Sequence, residues 1–587
     1  MGCTFYGRMG STMATTRRLF VQTMLYGLAA RSLGQGVVEH RGAVRPRGKP
    51  SGRPFPVRLV DVAVSAGLRH PTVYGSSDHH DYVIEAIGCG CAFIDYDNDG
   101  WMDLFVLSGN TFGPGTPTAT NRLYHNNRDG TFSDVTESAG LVHNGWSCGV
   151  CVGDYNNDGF EDIFVSGWGQ NLLYRNNGNG TFTDVTKLAG LGDSGHRWST
   201  GCSFVDYNRD GHLDLFVSSY LELDIAHAPR PGSGPLCMFR GIGVHCGPRG
   251  FTHGQNRLYR NNGDGTFTDV SVKAGITAAR DSYCLTVVAA DFDDDGWPDI
   301  YVACDSTPSL LFMNNRDGTF REEAIIRGVA YSNDGQEQAG MGVAVIDASG
   351  HGHLDLFKTN FAGDVPNFYQ NVGEGQFEDI CIDAGLAVDN RFVSWGAGFP
   401  DFDNDGAPDI FVVTGHVYPE IGKRYPEFAE RGPRLLFRNL GGGKFEEMLE
   451  GAGPAMAELH SSRGCAFGDF DNDGDLDVLI VNLNEPPTLL RNDLSGTNRW
   501  LKIRLQGTTS NRSAIGARAV VTGPGLRPQA QEVQSQSSFL SCNDPRLHFG
   551  VGMAEQVDVR VRWPSGKWDT ARPLRTNQTV SLVEGQT

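Results

Sequence analysis

Apolar residues along this chain come in short runs that alternate with Gly-, Asp- and Asn-rich stretches. Runs of that length, bounded by turn residues, predict strands. From about residue 57 to 492 the alternation follows a repeated unit. An apolar run such as GCAFGDF at 464–470 enters an Asp-rich loop, and a second run such as DLFVLS at 103–108 leaves it. A third run of the LYRNN type leads into an Asn/Gly/Asp turn and a short TFTDV strand, which together predict a hairpin. Four strands every ~50–60 residues predict a β-propeller.

The unit occurs seven times, with loops beginning at Asp95, Asp154, Asp206, Asp291, Asp347, Asp401 and Asp469. The ends of the region are complementary. Residues 58–68 match the tail of a repeat with no first half, and residues 489–492 match a first half with no tail. Joined, they complete the seventh unit, so the fold class expected is all-β: a seven-bladed propeller closed by its N-terminal strand. Glycine supplies 77 of 587 residues, roughly twice the usual 7%, as many tight turns require.

The loops carry the chemistry. Their pattern places oxygen side chains at positions 1, 3, 5 and 9, a Gly at position 6 and a backbone carbonyl at position 7, the ligand logic of a calcium loop. The ligand sets are Asp95, Asp97, Asp99, Trp101 and Asp103; Asp154, Asn156, Asp158, Phe160 and Asp162; Asp206, Asn208, Asp210, His212 and Asp214. They continue with Asp291, Asp293, Asp295, Trp297 and Asp299; Asp401, Asp403, Asp405, Ala407 and Asp409; Asp469, Asp471, Asp473, Asp475 and Asp477. Position 7 contributes only its carbonyl, which is why Trp101, Phe160 or Ala407 is acceptable there. The fifth loop offers only Asp347, Ser349 and Asp355 and is expected to bind weakly or not at all.

The loop positions hold 24 of the chain's 69 acidic residues, more than its whole formal charge of −20. Carboxylates gathered so closely repel unless a cation or protons intervene. Oxygen-only ligand sets disfavour zinc and copper. About six calcium ions are expected, with a mainly structural role.

These loops resemble the FG-GAP or VCBS repeats of integrin α-subunit propellers. Residues 498–566 contain NRWLKIRLQG, SNRSAIGARAVV, HFGVG and VDVRVRWPSG, and this stretch resembles the ASPIC/UnbV domain that follows such propellers in cartilage acidic protein and bacterial homologues. The resemblance implies an exported, calcium-binding propeller protein; it supplies no catalytic residue. The C-terminal domain is assigned to 493–587. Read by itself it is also β-rich, with LKIRLQ, ARAVV, QEVQSQ, VDVRVRW and TVSLVEG at strand length. A separation of only six residues, 493–498, implies that the two domains dock.

At the other end, Arg17-Arg18 followed by a weakly apolar stretch over 24–30 resembles a twin-arginine export signal within 1–37. This implies a periplasmic or secreted bacterial protein. Residues 38–56, rich in Arg, Gly and Pro, predict a flexible linker. No basic stripe suits nucleic acid, and no apolar run reaches the ~18–20 residues of a membrane span.

Antiparallel alternation puts the Asp loops and the Asn/Gly hairpin turns on one face of the ring. The opposite face receives the two long insertions, about 220–255 and 414–434. The first contains Cys237 and Cys246, a disulfide pair in an oxidising compartment. Trp146, Arg197, Trp198, Trp395, His416, Tyr418 and Arg463 are expected near the channel mouth on that face, as anchors of a binding surface. Cys89, Cys91, Cys148, Cys151, Cys202, Cys284 and Cys465 read as small buried residues around the axis. No GxSxG, P-loop, HExxH or paired-Glu pattern occurs. The expectation is a non-enzymatic module for an unknown protein or glycan. The alternatives are an enzyme or biosynthesis accessory with a site at the channel mouth, and a structural envelope component.

Overall fold

A computed structural model describes residues 42–112, 119–192, 195–279, 281–449 and 451–586. The expected leader and the start of the linker lie outside them. Between Leu59 and Asn492 the described residues form seven four-stranded antiparallel sheets, two of which join through a single pairing between Trp168 and Trp198. Blade 1 consists of Cys91–Ile94, Asp103–Val106, Arg122–Asn126 and Phe132–Asp134. The inner strands of blades 2 to 7 are Trp146–Gly153, Arg197–Val205, Cys284–Ala290, Val343–Ile346, Ser394–Gly398 and Ser462–Gly468. Each inner strand packs on the next, and that of blade 7 packs on that of blade 1, so the ring closes. The N-terminal strand Leu59–Asp61 forms the outer strand of blade 7, with Leu59 opposite Asn492.

The ring is latched by one residue type. The first Asn of each hairpin turn lies at the end of a third strand. Its backbone N–H donates to the position-9 Asp of its own loop, at 2.8 Å for Asn126 to Asp103. Its side-chain amide donates to the position-2 carbonyl of the preceding blade's loop. The seven donors are Asn126 (to Phe470), Asn176 (Tyr96), Asn261 (Tyr155), Asn314 (Tyr207), Asn371 (Phe292), Asn439 (Ala348) and Asn492 (Phe402). All seven are buried, where a hydrogen bond is expensive to lose. The Asn pair that marks the turn in the sequence is thus also an interblade clamp.

The C-terminal domain packs a three-stranded sheet (Leu547–Gly552, Arg499–Gln506, Gln578–Val583) against a four-stranded one (Gln529–Glu532, Arg518–Thr522, Gln556–Arg562, Trp568–Arg575). Leu501, Ile503, Val521, Phe549, Val559 and Trp563 are among its core residues. QEVQSQ, expected as a strand, is one only up to Glu532. The chain beyond it descends into the propeller axis and touches the inner strand of every blade. The Cys542 N–H donates to the Cys91 carbonyl, and the Cys542 carbonyl accepts from Phe93. The Leu540 carbonyl accepts from Val150, and Ser538 exchanges two backbone bonds with Val343. Gln536 Oε1 accepts from Cys202 and Val287, Ser538 Oγ from Ala397, and Asn543 Oδ1 from Phe467. Inner-strand N–H groups facing a channel would otherwise need water; here a polar plug satisfies them. Close approach demands glycine: a Cβ on Gly90 would lie 1.8 Å from the Leu540 carbonyl oxygen.

The linker expected to be flexible is docked over its described part. Arg47 pairs with Glu447 and Asp389, and Ser51 bonds Glu446, along the outer edge of blade 6. Its partners lie some 340–400 residues away in sequence, so local composition does not reveal them. Among the described residues no helix is long and apolar enough to cross a membrane.

Asn126 joins blade 1 to blade 7, where the chain ends of the ring meet. Asn126→Ala is expected to leave the Met102 and Phe470 carbonyls unsatisfied and to cost about 1–3 kcal/mol in chemical denaturation. A change below ~0.5 kcal/mol would show that the clamp is dispensable.

Candidate functional site

Each Asp loop links the inner strand to the second strand of its blade, and its fold is set by its own side chains. The position-1 carboxylate accepts from the backbone of positions 5 and 6: Asp154 from Asp158 at 2.9 Å and Gly159 at 2.7 Å, Asp401 from Asp405 at 3.1 Å and Gly406 at 2.8 Å. The position-5 carboxylate accepts from the N–H of position 7, at 2.8 Å for Asp99 to Trp101 and for Asp295 to Trp297. Position 4 takes a left-handed conformation in six loops, at Asn98, Asn157, Arg209, Asp294, Asn404 and Asn472 with φ of 56–59°. The fifth loop has Gly350 there.

This geometry brings carboxylates together. Ligand oxygens of Asp95, Asp97 and Asp103, of Asp291, Asp293 and Asp295, of Asp401, Asp403 and Asp405, and of Asp469, Asp471 and Asp477 each converge within 4.8 Å. His125, on the third strand of blade 1, joins Asp97 and Asp99 in a further such group. It has no counterpart in the loop motif, so the sequence pattern missed it. In the second and third loops an amide stands at position 3: Asn156 donates to Asp158 at 2.9 Å and Asn208 to Asp210 at 2.8 Å. The fifth loop is different. Ser349 spends its hydroxyl and its N–H on Asp355, at 2.6 and 2.8 Å, and no carboxylate cluster forms.

Burial holds these acids far from their usual range. It pushes Asp103 up to about 9, Asp206 and Asp471 to about 7, and Asp154 and Asp403 to about 6. It also raises Asp162, Asp214, Asp299, Asp401, Asp409 and Asp477 well above the ordinary value, with neighbouring loop carboxylates adding to the effect. Several of their oxygens are buried with no hydrogen-bond partner, among them Asp293 Oδ1, Asp409 Oδ2, Asp469 Oδ1 and Asp471 Oδ1. Unsatisfied, clustered, hard oxygen atoms of this kind fit a divalent cation.

The C-terminal domain covers this face. Over 499–587 it carries twelve basic and six acidic residues, the reverse of the chain's overall balance. Lys502 pairs with Asp469, Arg504 with Asp95 at 2.9 Å, Arg512 with Asp154 at 3.9 Å and Arg562 with Asp291. All four acids stand at position 1. Arg546 donates to the Asp469 and Gly100 carbonyls and to Asn472.

On the opposite face the residues expected as exposed anchors are packed inside. Trp198, Trp395, Arg463, Tyr418 and His416 are at most 3% exposed, and Trp146 is 7% exposed. Trp146 stacks on Phe112 at 4.8 Å, and the Trp198 indole donates to Cys148 Sγ. The Trp395 indole donates to the Gly415 carbonyl and meets Phe539 of the plug edge-on. The Arg463 guanidinium lies over the Trp395 ring at 4.3 Å and donates to the Ala86 and Ser462 carbonyls. His416 is wedged among Phe239, Phe361 and Tyr418, and burial pushes it down to about 3. Arg197 is half-buried beside Glu222. Six of the seven are thus packing residues of the interior, and only Arg197 keeps part of its side chain exposed. Cys237 and Cys246 are bonded, and the cysteines assigned to the axis are buried thiols.

Comparison with known proteins matches the FG-GAP-like repeat model at 95–165, 154–217, 246–302, 291–358 and 401–480, and the ASPIC and UnbV model at 507–587. Cartilage acidic protein 1 of Homo sapiens is 28% identical over 322 residues, 54% of this chain and 46% of the relative. That of Xenopus tropicalis is 28% identical over 278 residues, 46% and 40%. The chain thus spans less than half the length of these curated relatives. Similar solved structures include an Agrocybe aegerita lectin that recognises non-reducing terminal N-acetylglucosamine (17% identity, 67% of this chain and 88% of that one, TM-score 0.38). Another is YCF48 bound to D1 peptide (8% identity, 76% and 99%, TM-score 0.37). With its FG-GAP-like repeat matches spanning more than half its length, the chain belongs to the FG-GAP-like repeat family, as a β-propeller that carries an ASPIC and UnbV domain.

Proposed function

We propose that this protein is an exported, calcium-stabilised interaction module with no catalytic role, and that it engages a protein or glycan through the insertion face. The observation that carries the calcium reading is the set of buried loop oxygens without partners, in clusters of three carboxylates. In the family's calcium-loop pattern the side chains at positions 1, 3, 5 and 9 would hold the ion, and the ion would supply rigidity rather than chemistry. Export rests on Arg17-Arg18 and its resemblance to a twin-arginine signal, and the Cys237–Cys246 bond suits an oxidising compartment.

The choice of face follows from what is already occupied. The C-terminal domain covers the Asp-loop face and fills the axis, which leaves the insertions on the opposite face. Their buried aromatics support exposed polar tips: His227, Arg230, Lys423 and Arg424. Arg230 is held over the Tyr82 ring at 4.8 Å while pairing with Asp81 at 3.0 Å. Such pre-ordered Arg residues suit acidic or hydroxyl-rich partners.

Two outcomes are expected. Without divalent cation, the raised carboxylate values mean that the folded state holds protons which the unfolded state releases near pH 4. That contribution is present below about pH 4 and is lost as pH rises through 6 to 9. Calcium favours the ionised form and opposes the loss. A site at 100-fold its dissociation constant adds about 2.7 kcal/mol and six such sites about 16 kcal/mol, so chelation at pH 8 should lower the melting temperature by roughly 10 °C or more. At pH 5 the loss should be much smaller; equal losses at both pH values would contradict the carboxylate assignment. Separately, reversing Arg230, Lys423 and Arg424 to Glu should abolish capture of a partner from envelope extract at an unchanged melting temperature. Undiminished capture would rule out the insertion face.

A further inference from the structure

The seven loops are joined by a second belt, and it has gaps. In the first, second, sixth and seventh loops position 4 is Asn, and its side-chain amide donates to the position-6 glycine carbonyl of the next loop. Asn98 reaches Gly159 at 2.8 Å, Asn157 reaches Gly211 at 2.9 Å, Asn404 reaches Gly474 at 3.5 Å and Asn472 reaches Gly100 at 3.1 Å. The remaining three loops are consecutive and lack this Asn. They carry Arg209, Asp294 and Gly350 at position 4.

At all three gaps the C-terminal domain is engaged. Asp294 cannot donate, and Arg518 instead bonds both Asp294 and the Gly352 carbonyl of the next loop. Gly350 has no side chain, and Arg527 donates to the Gly406 carbonyl through Nε at 3.3 Å and Nη2 at 3.2 Å. Arg209 lies over the Trp297 ring of the next loop at 4.9 Å and donates to the Pro564 carbonyl. Two arginines lent by the C-terminal domain thus make the bonds that Asn makes elsewhere.

The gap at Gly350 is matched to its filler. Gly350 has φ of +72°, in the region that Asn98, Asn157, Asn404 and Asn472 occupy, so its backbone would accept Asn. A Cβ there, however, would lie 2.5 Å from Arg527 Nη1. Asn at 350 and Arg at 527 are alternative occupants of one space. In the sixth loop, the amide of Gly406 is held by Asp401 and its carbonyl by Arg527. That fixes the peptide immediately before Ala407, whose carbonyl the calcium-loop pattern uses as a ligand. The same loop has converging Asp401, Asp403 and Asp405 and an unpartnered, fully buried Asp409 Oδ2.

We propose that Arg527 is a positioning residue for a divalent-cation site in the sixth loop, completing in cis a loop-to-loop belt that the fifth loop leaves open. The inference rests on the calcium reading. Three consecutive gaps in a sevenfold ring also give the C-terminal domain one rotational seat among seven otherwise similar ones.

The test uses the full chain with calcium as the probe, with bound ions counted by equilibrium dialysis across a range of free calcium. Groups that orient metal ligands typically change affinity by about 10- to 100-fold. Arg527→Ala should therefore hold about one ion fewer at a free calcium that just saturates the unsubstituted chain, and regain it only at roughly tenfold more. Adding Gly350→Asn to Arg527→Ala should bring the isotherm back to within about threefold. Gly350→Asn with Arg527 kept should give no gain, because the two side chains collide. Superimposable isotherms for Arg527→Ala and the unsubstituted chain, or a loss that Gly350→Asn does not repair, would overturn the role of Arg527. An unsubstituted chain that binds no calcium would overturn the calcium reading itself, and the inference with it.

Discussion

Like charge buried on one rim is the constraint around which this protein is arranged. Two carboxylates 4 Å apart repel by about 4 kcal/mol at an effective dielectric constant of 20, and four loops bring three within 4.8 Å. The chain meets this repulsion with backbone donors first. Position-1 and position-5 aspartates are capped by N–H groups of their own loop, and position-9 aspartates by the clamp Asn of the third strand. These bonds leave other oxygens unsatisfied, which is the space a divalent cation would take.

The C-terminal domain is the second answer to the same problem. Its surplus of basic residues meets the position-1 aspartates of four loops, and its axial segment meets the inner strands of all seven blades. Buried pairs such as Lys502 with Asp469 add little net stability by themselves. They are costly to break, however, and so they fix where the domain sits. Propeller and cap therefore behave as one folding unit on this face. Function by inter-domain hinging is a poor fit to such an interface, whereas a rigid platform with one free face is a good one.

Much of the fold was legible because repeats report long-range geometry locally. The split seventh unit placed Leu59–Asp61 beside Thr488–Asn492, a contact across more than 400 residues. Other features carried no such mark. QEVQSQ reads as a strand, and only the contacts that the segment after Glu532 makes with seven different blades show it to be a plug. Trp395 and Arg463 are expected as anchors at the channel mouth, but they lie within inner strands, and their partners, Phe539 and the Ala86 carbonyl, come from distant segments. Asn stands at position 4 in four loops, outside the positions the ligand pattern uses. Its meaning depends on the neighbouring loop, and the arginines that replace it lie more than 100 residues beyond the loops they serve.

The central claim is that the loop carboxylates are balanced by bound calcium. The direct measurement is elemental: strip the purified full chain with chelator, dialyse it against millimolar calcium, remove the excess and count the ions per chain. The account predicts about six, with the fifth loop contributing none. A count near zero in a chain that remains folded would contradict it, and would mean that protons and the basic cap alone hold the acidic rim together.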